Sequence, residues 1–257
     1  MNVRLRASTS YLCNQEPSEL GAIHTLPCPV LGAPVIFAFT PQGPGAKRHL
    51  AMRLLQALGG LDHRWRISPQ KNKIGLHHST LGRPYLLLGE KKGPSLSFSH
   101  GRGRLWGAMS STGSVGIDVA FPEEFVAGYP FARAFRSEEM DIAKAICRNH
   151  TPRGAALIWS AKEASVKATG AGFNLFDPLQ VKVAAPLCRE QGVLFKVSAG
   201  GPIRTWARKE GRGWVSVALA RHVFFEISPK IKFMVSRDCY PLSPSKASKT
   251  FSTFPFY

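Results

Sequence analysis

Apolar residues at Leu50, Leu54, Leu55 and Leu58 recur at the spacing of a helix with one buried face. This predicts a helix over Lys47–Leu58 that Gly59-Gly60 stops, with Arg48 and Arg53 on or beside its polar side. Upstream, the unbroken run Val35-Ile36-Phe37-Ala38-Phe39 reads as a buried strand, and Pro41 to Gly45 as the loop that follows it. Gly82-Arg83-Pro84-Tyr85 reads as a turn. Ser95 to Ser99 and Leu105 to Ser110 then form two strands about a Gly101-Arg102-Gly103 turn, with His100 at the rim of that hairpin.

Ser111-Thr112-Gly113-Ser114 is the natural join between two halves. Beyond it the segment Val115–Ala120 alternates. Val115, Ile117 and Val119 face one way, whereas Gly116, Asp118 and Ala120 face the other, so Asp118 shares its side with small residues where something can approach. Ser137 is placed to cap a helix that carries Glu138 and Glu139 in its first turn and runs to about Cys147. Thr151-Pro152 opens the best-defined helix, with a cap and a first-position proline, and Gly170 ends it. Leu179–Ala184, Val193–Ser198 and Gly213–Ala220 read as strands, and the Ser-, Pro- and Lys-rich stretch from about Pro241 as a mobile tail.

Composition narrows the class. With 257 residues, 44% of them hydrophobic, the chain can bury a sizeable core in one large domain or two lobes. Its five cysteines form an odd set without a C-x-x-C pair, which argues against a disulfide framework or a zinc ribbon. No apolar run approaches the roughly 18 residues that cross a bilayer, so a cytoplasmic protein without a membrane partner is expected. A monomer is expected as well. The net charge of +18 is uneven: residues 41–110 hold 12 Lys and Arg against 2 acids, and residues 111–220 hold 14 against 10. A basic front half suited to phosphate thus precedes a half with carboxylates for chemistry. Charge alone also admits nucleic acid, but no helix-turn-helix or RNA-binding signature accompanies it.

On the helix opened by Thr151-Pro152, Trp159, Glu163 and Lys167 are spaced i, i+4, i+8 and share one face. By spacing alone, Glu163 and Lys167 read as an exposed helix-stabilising pair worth about 0.3–0.5 kcal/mol.

The wider wording changes that reading. W-S-A-K-E-A-S-V-K-A-T-G at 159–170 resembles the W-[ST]-x-K-E-[AS]-x-x-K signature of the 4′-phosphopantetheinyl transferase superfamily. V-G-I-D-V at 115–119, S-F-S-H at 97–100 and G-R-P at 82–84 are similar to three further elements of that family, in its order. The length, with motifs in both halves, resembles the two-lobe Sfp-type form. The resemblance implies an α+β fold of two similar lobes, a pseudo-dimer in which each lobe is a small, mostly antiparallel sheet packed with helices. The basic N-terminal lobe would span 1–113, the lobe with the metal and catalytic motifs 114–230, and an extension 231–257.

It also implies an activity: Mg²⁺-dependent transfer of phosphopantetheine from coenzyme A, bound between the lobes, to a serine of an acyl or peptidyl carrier protein. Asp118 and Glu163 would be metal ligands. Glu163 would orient or deprotonate the serine, and Lys167 would stabilise the leaving phosphate. Ser99, His100, Lys162, Lys167, Arg48 and Arg83 are the expected contacts to coenzyme A. The family often has Glu two residues beyond the strand aspartate, where this chain has Ala120. Glu139, in F-R-S-E-E-M, is the expected third metal ligand, whereas Glu123, Glu124 and Glu138 read as helix-dipole and surface charge. The alternatives are a coenzyme A or carrier-binding module of the same fold with impaired chemistry, and a basic nucleic-acid-binding protein.

Overall fold

The computed structural model describes residues 21–26, 34–66, 73–173, 175–187 and 192–220. The expected extension at 231–257 lies outside them. The architecture is α+β, built on two antiparallel sheets. The six-stranded sheet is formed by β1 (His24–Leu26), β2 (Val35–Pro41), β3 (Ile74–His78), β4 (Pro84–Leu88), β5 (Lys91–Gly101) and β6 (Arg104–Ser110), in the order β1-β2-β6-β5-β4-β3. The five-stranded sheet is formed by β7 (Ser114–Ala120), β8 (Lys182–Val183), β9 (Val193–Ser198), β10 (Pro202–Glu210) and β11 (Gly213–Ala220), in the order β7-β11-β10-β9-β8. Helix α1 (Ala46–Leu61) packs on the first sheet. α2 (Phe131–Ala134), α3 (Ser137–Ile146) and α4 (Thr151–Thr169) accompany the second. The chain passes from one sheet to the other across Ser111–Gly113, where Gly113 takes a φ of +76°.

Period-2 alternation distributes side chains among three cores. Ile36 and Ala38 join Leu50, Leu54, Leu55 and Leu58 of α1 in one cluster, while Val35 and Phe37 face the other way. There they meet Val115, Ile117 and Val119 of β7, Val215, Val217 and Leu219 of β11, and Trp206 of β10. The third cluster lies between the second sheet and α3 and α4. Each fully buried leucine contributes roughly 1.5–3 kcal/mol relative to exposure.

Several boundaries differ from the sequence reading. Gly59 and Gly60 do not stop α1, which runs to Leu61. Gly59 is needed for close packing instead, because a Cβ there would lie 2.8 Å from the Trp65 carbonyl oxygen. The turn at Gly82–Tyr85 is the bend of a hairpin, since Pro84 already begins β4, paired to β3. The β5–β6 hairpin closes on the two residues Arg102 and Gly103, both at positive φ (49° and 70°), as a primed turn requires. The expected strand Leu179–Ala184 shrinks to Lys182–Val183. β10 is an addition: Ile203, Thr205 and Ala207 form its buried face, and Arg204, Trp206 and Arg208 share the other.

Two caps also move. Ser137 does not cap α3: Glu139 folds back to accept from the Arg136 amide at 2.9 Å. Thr151 does not cap α4 either, because the His150 ring accepts from the Arg153 amide at 3.2 Å. Gly170, at φ +83°, ends α4 as the sequence indicates.

Candidate active site

α4 is seated on the second sheet by small residues and paired hydroxyls. A Cβ on Gly116 of β7 would fall 1.9 Å from the Ala164 carbonyl oxygen, so only glycine lets the helix backbone come this close. Ser160 and Ser216, and Ser165 and Thr205, share hydrogen bonds of 2.7 Å between helix and sheet. From Gly154 to Ala168 every residue of the helix is buried except Trp159, Glu163 and Lys167. The face expected from the i, i+4, i+8 spacing is therefore the helix's one open stripe. Phe173 stacks on Trp159 with ring centroids 5.1 Å apart, supporting that stripe one turn before Glu163.

Lys167 Nζ lies 2.8 Å from Asp118 Oδ1 and 3.0 Å from Glu163 Oε1, so it bridges strand and helix carboxylates. Glu163 and Lys167 are thus more than an exposed helical pair. Asp118 is buried, and burial, reinforced by the Glu163 charge, pushes its carboxyl up to about 7. Lys167 and a 2.8 Å hydrogen bond donated by Ser99 pull the other way. Burial disfavours the charged Lys167, but the two carboxylates outweigh it and raise its pKa.

Asp118 is held from the neighbouring sheet by a row of serines. β7 is an edge strand, and its outward amides at Val115 and Ile117 donate to Ser95 Oγ (3.0 Å) and Ser97 Oγ (3.2 Å) of β5. Ser99, two residues on and on the same face of β5, reaches the Asp118 side chain. The seryl repeat along 95–99 is therefore a seam between the sheets, and Ser99 sits in it as the orienting donor for Asp118.

Beside this cluster a cavity of about 210 Å³ is lined by Lys47, His78, Arg83, His100 and Lys167, with backbone from Gly82, Gly170 and Gly172. Its lining carries no Asp or Glu, as suits a phosphate-bearing ligand. Burial and the charges of Lys47 and Lys167 lower the pKa of His100. Arg83 donates to Ser95 Oγ at 3.2 Å and to Ser114 Oγ, and Ser114 in turn donates to the Ala168 carbonyl at the end of α4. Arg83 consequently ties the first sheet to the last turn of the helix as well as lining the cavity. Arg48, exposed, is not among the lining residues; the adjacent Lys47 is. Helical phase, which places neighbours about 100° apart, separates the two. His78 had no motif to mark it in the sequence.

Lys162 and Glu139 occupy a different place. Lys162 Nζ is fully buried, 2.7 Å from Glu139 Oε2, and donates to the Ala134 and Pro178 carbonyls at 2.9 Å each. Its three donors are used inside the protein. Glu139 also accepts from the Arg136 and Val183 amides at 2.9 Å. The pair joins α3, α4 and β8, and the expected metal role of Glu139 and cofactor role of Lys162 find no support in this placement. Among the described residues no three of His, Cys, Asp and Glu come together as a metal site. Glu123 forms surface ion pairs with Arg102 (2.7 Å) and Arg212 (3.6 Å). Glu124 accepts from the Phe121 amide at 2.8 Å, and burial, with a further push from Glu163, raises its pKa.

The donor set nevertheless fits Mg²⁺. Asp118 and Glu163 each meet Lys167 through one oxygen, and their other oxygens, Asp118 Oδ2 and Glu163 Oε2, have no hydrogen-bond partner among the described residues. Two carboxylates with open oxygens, completed by substrate phosphate and water, are what Mg²⁺ ordinarily takes. No helix among the described residues is long and apolar enough to cross a membrane. No curated protein matches the chain. Residues 114–196, which span β7, α4 and most of β9, match the family model of the 4′-phosphopantetheinyl transferase superfamily.

Proposed function

We propose, from the match of residues 114–196 to the family model of the 4′-phosphopantetheinyl transferase superfamily, a specific reaction. The protein moves the 4′-phosphopantetheine group of coenzyme A to a serine of an apo acyl or peptidyl carrier protein, releasing 3′,5′-ADP, with Mg²⁺. The observation that carries this reading is the joining of Asp118, Glu163 and Lys167 in one cluster beside an acid-free basic cavity.

Asp118 and Glu163 would hold Mg²⁺, which when bound supplies positive charge to the pyrophosphate. The remaining work falls to side chains. The serine oxygen forms its bond to phosphorus as the bond to the 3′,5′-ADP oxygen breaks, and Glu163, part-exposed on the open stripe, is placed to take the serine proton. Lys167 neutralises charge on the departing phosphate. His100, Lys47 and Arg83 supply donors and charge for coenzyme A phosphate, and Ser99 keeps Asp118 in a fixed orientation. The lobes at 1–113 and 114–230 would each contribute one wall of the substrate site.

The test is to incubate the protein with coenzyme A, Mg²⁺ and a panel of apo carrier proteins and to weigh the products. At least one carrier gains the mass of a phosphopantetheine arm, and chelator abolishes the gain. No gain with any divalent metal, from folded protein and a broad panel, overturns the reading.

A further inference from the structure

The serine seam between the sheets ends in a ring. Along it β5 and β7 run in the same direction, and Ser95 and Ser97 each meet the residue 20 places further along the chain. Gly101 and Phe121 keep that separation, but their contact is steric: a Cβ on Gly101 would lie 2.7 Å from Phe121 Cε2. At the opposite edge of the ring, a Cβ on Gly213, the first residue of β11, would lie 2.5 Å from Phe121 Cδ1. Neither glycine has a positive φ, so space and not backbone conformation excludes a side chain at both places. Arg102 covers the ring, its guanidinium carbon 4.5 Å from the centroid, and is itself held by Glu123 at 2.7 Å. It does so from the left-handed region, at φ 49°, which residues with a side chain ordinarily avoid.

The wedged ring stands beside the site along both strands. Phe121 lies three residues beyond Asp118, and Gly101 lies one beyond His100 and two beyond Ser99. The hydroxyls of Ser95 and Ser97 fix the seam at one end and the ring fixes it at the other. Between these fixed points sits the 2.8 Å hydrogen bond from Ser99 to Asp118. Lys47, His78, Arg83 and His100 of the basic cavity belong to the first sheet and its helix and loops, whereas Asp118 belongs to the second sheet, on which α4 seats Glu163 and Lys167. The separation of the phosphate-binding side chains from the carboxylates is therefore a separation of sheets. A misplacement of about 1 Å in such an arrangement can slow a reaction by up to about a hundredfold.

We propose that Phe121 is a positioning residue for the transfer reaction, and so rests on that reading: wedged between Gly101 and Gly213, its ring sets how far Asp118 lies from Ser99 and His100. The test is Gly101→Ala, whose methyl drives into the ring, alone and combined with Phe121→Leu, which removes the ring atoms that the methyl strikes. The first readout needs neither coenzyme A nor carrier. In the ¹³C-labelled full chain at fixed pH, Gly101→Ala moves the Asp118 carboxyl resonance in the direction that Ser99→Ala moves it, because both weaken the same hydrogen bond, and adding Phe121→Leu moves it back. The second readout is kinetic, per folded molecule. Gly101→Ala lowers kcat about tenfold while KM for coenzyme A changes by less than about threefold, and the double variant returns to within about threefold of the parent. If Gly101→Ala does not fold, Phe121→Leu alone is read, with the same carboxyl displacement and a kcat about threefold below the parent. An Asp118 resonance that stays in place overturns the proposal. So does a double variant no nearer the parent than Gly101→Ala, or a loss confined to KM for coenzyme A. A parent that modifies no carrier fails the reaction reading instead, and the Asp118 resonance still decides whether the ring positions that carboxylate.

Discussion

Two lysines five residues apart on α4 carry out opposite tasks with the same chemistry. Lys162 is sealed in the core, its ammonium shared among Glu139 and two carbonyls. Lys167, with a side chain 26% exposed, is shared between two carboxylates that keep an open oxygen each. In the first cluster all donors and acceptors are consumed by the fold. The second is incomplete without a further partner, and incompleteness of this kind, rather than charge or burial alone, distinguishes a site from a structural ion pair.

The strongest way to break this contrast is to truncate the sealed pair. Glu139→Ala strands the Lys162 charge, and stability to urea should fall by roughly 3–5 kcal/mol, with turnover per folded molecule retained. A stable variant that loses activity would move Glu139 into the chemistry. In the open cluster the expected pattern is reversed. Glu163→Gln should lower turnover by about a hundredfold or more while stability changes by under about 1 kcal/mol and much coenzyme A affinity survives. Near-normal turnover would reduce Glu163 to a helix-stabilising charge. Lys167→Ala should slow transfer by less and also weaken coenzyme A, which a split of kcat from KM would reveal.

Smaller effects sharpen the comparison further. His100→Ala should weaken coenzyme A more than dephospho-coenzyme A by about tenfold if the ring contacts the 3′-phosphate. Equal losses for the two ligands would assign it to another phosphate. The last concerns protons. The Asp118 carboxyl is raised in the folded chain to about 7, from an unfolded value near 3.9. The native state therefore binds a proton that the unfolded state has lost between those two values. The stability Asp118 contributes is full below pH ~4 and is lost as pH rises through ~7 in metal-free protein. Carboxyl ¹³C titration should locate this step, and Ser99→Ala should move it upward; a step in the ordinary carboxylate range would contradict the burial argument.

Much of this contrast was legible in the sequence because the open stripe follows helical spacing and β7 alternates cleanly. Asp118 could be placed on the small-residue face of its strand, and Glu163 and Lys167 on one helix face, while only the family resemblance joined the two. Glu139 and Lys162 could not be separated from them, because an acid and a lysine near a motif look alike whether their partners are backbone carbonyls or a substrate. Lys47 and Arg48 differ only in helical phase relative to a cavity that another sheet completes. β10 escaped notice because its inner face carries Thr205 and its outer face two arginines, leaving few apolar residues to mark it, although Arg208 sits over Phe37, with 5.2 Å between guanidinium carbon and ring centroid. In each case the missing information was non-local: which distant surface a side chain meets.

The serine seam has a consequence beyond orienting Asp118. An edge strand with free amides is a template on which another polypeptide can add itself, and β7 is such an edge within its own sheet. Ser95 and Ser97 plug the amides of Val115 and Ile117 with hydroxyls rather than with another strand. The joint is closed to intruding chains without being fused into one continuous sheet. Resistance to self-association should therefore reside partly in two serine side chains, and a Ser95→Ala/Ser97→Ala variant that scatters no more light than the parent at high concentration would locate that resistance elsewhere.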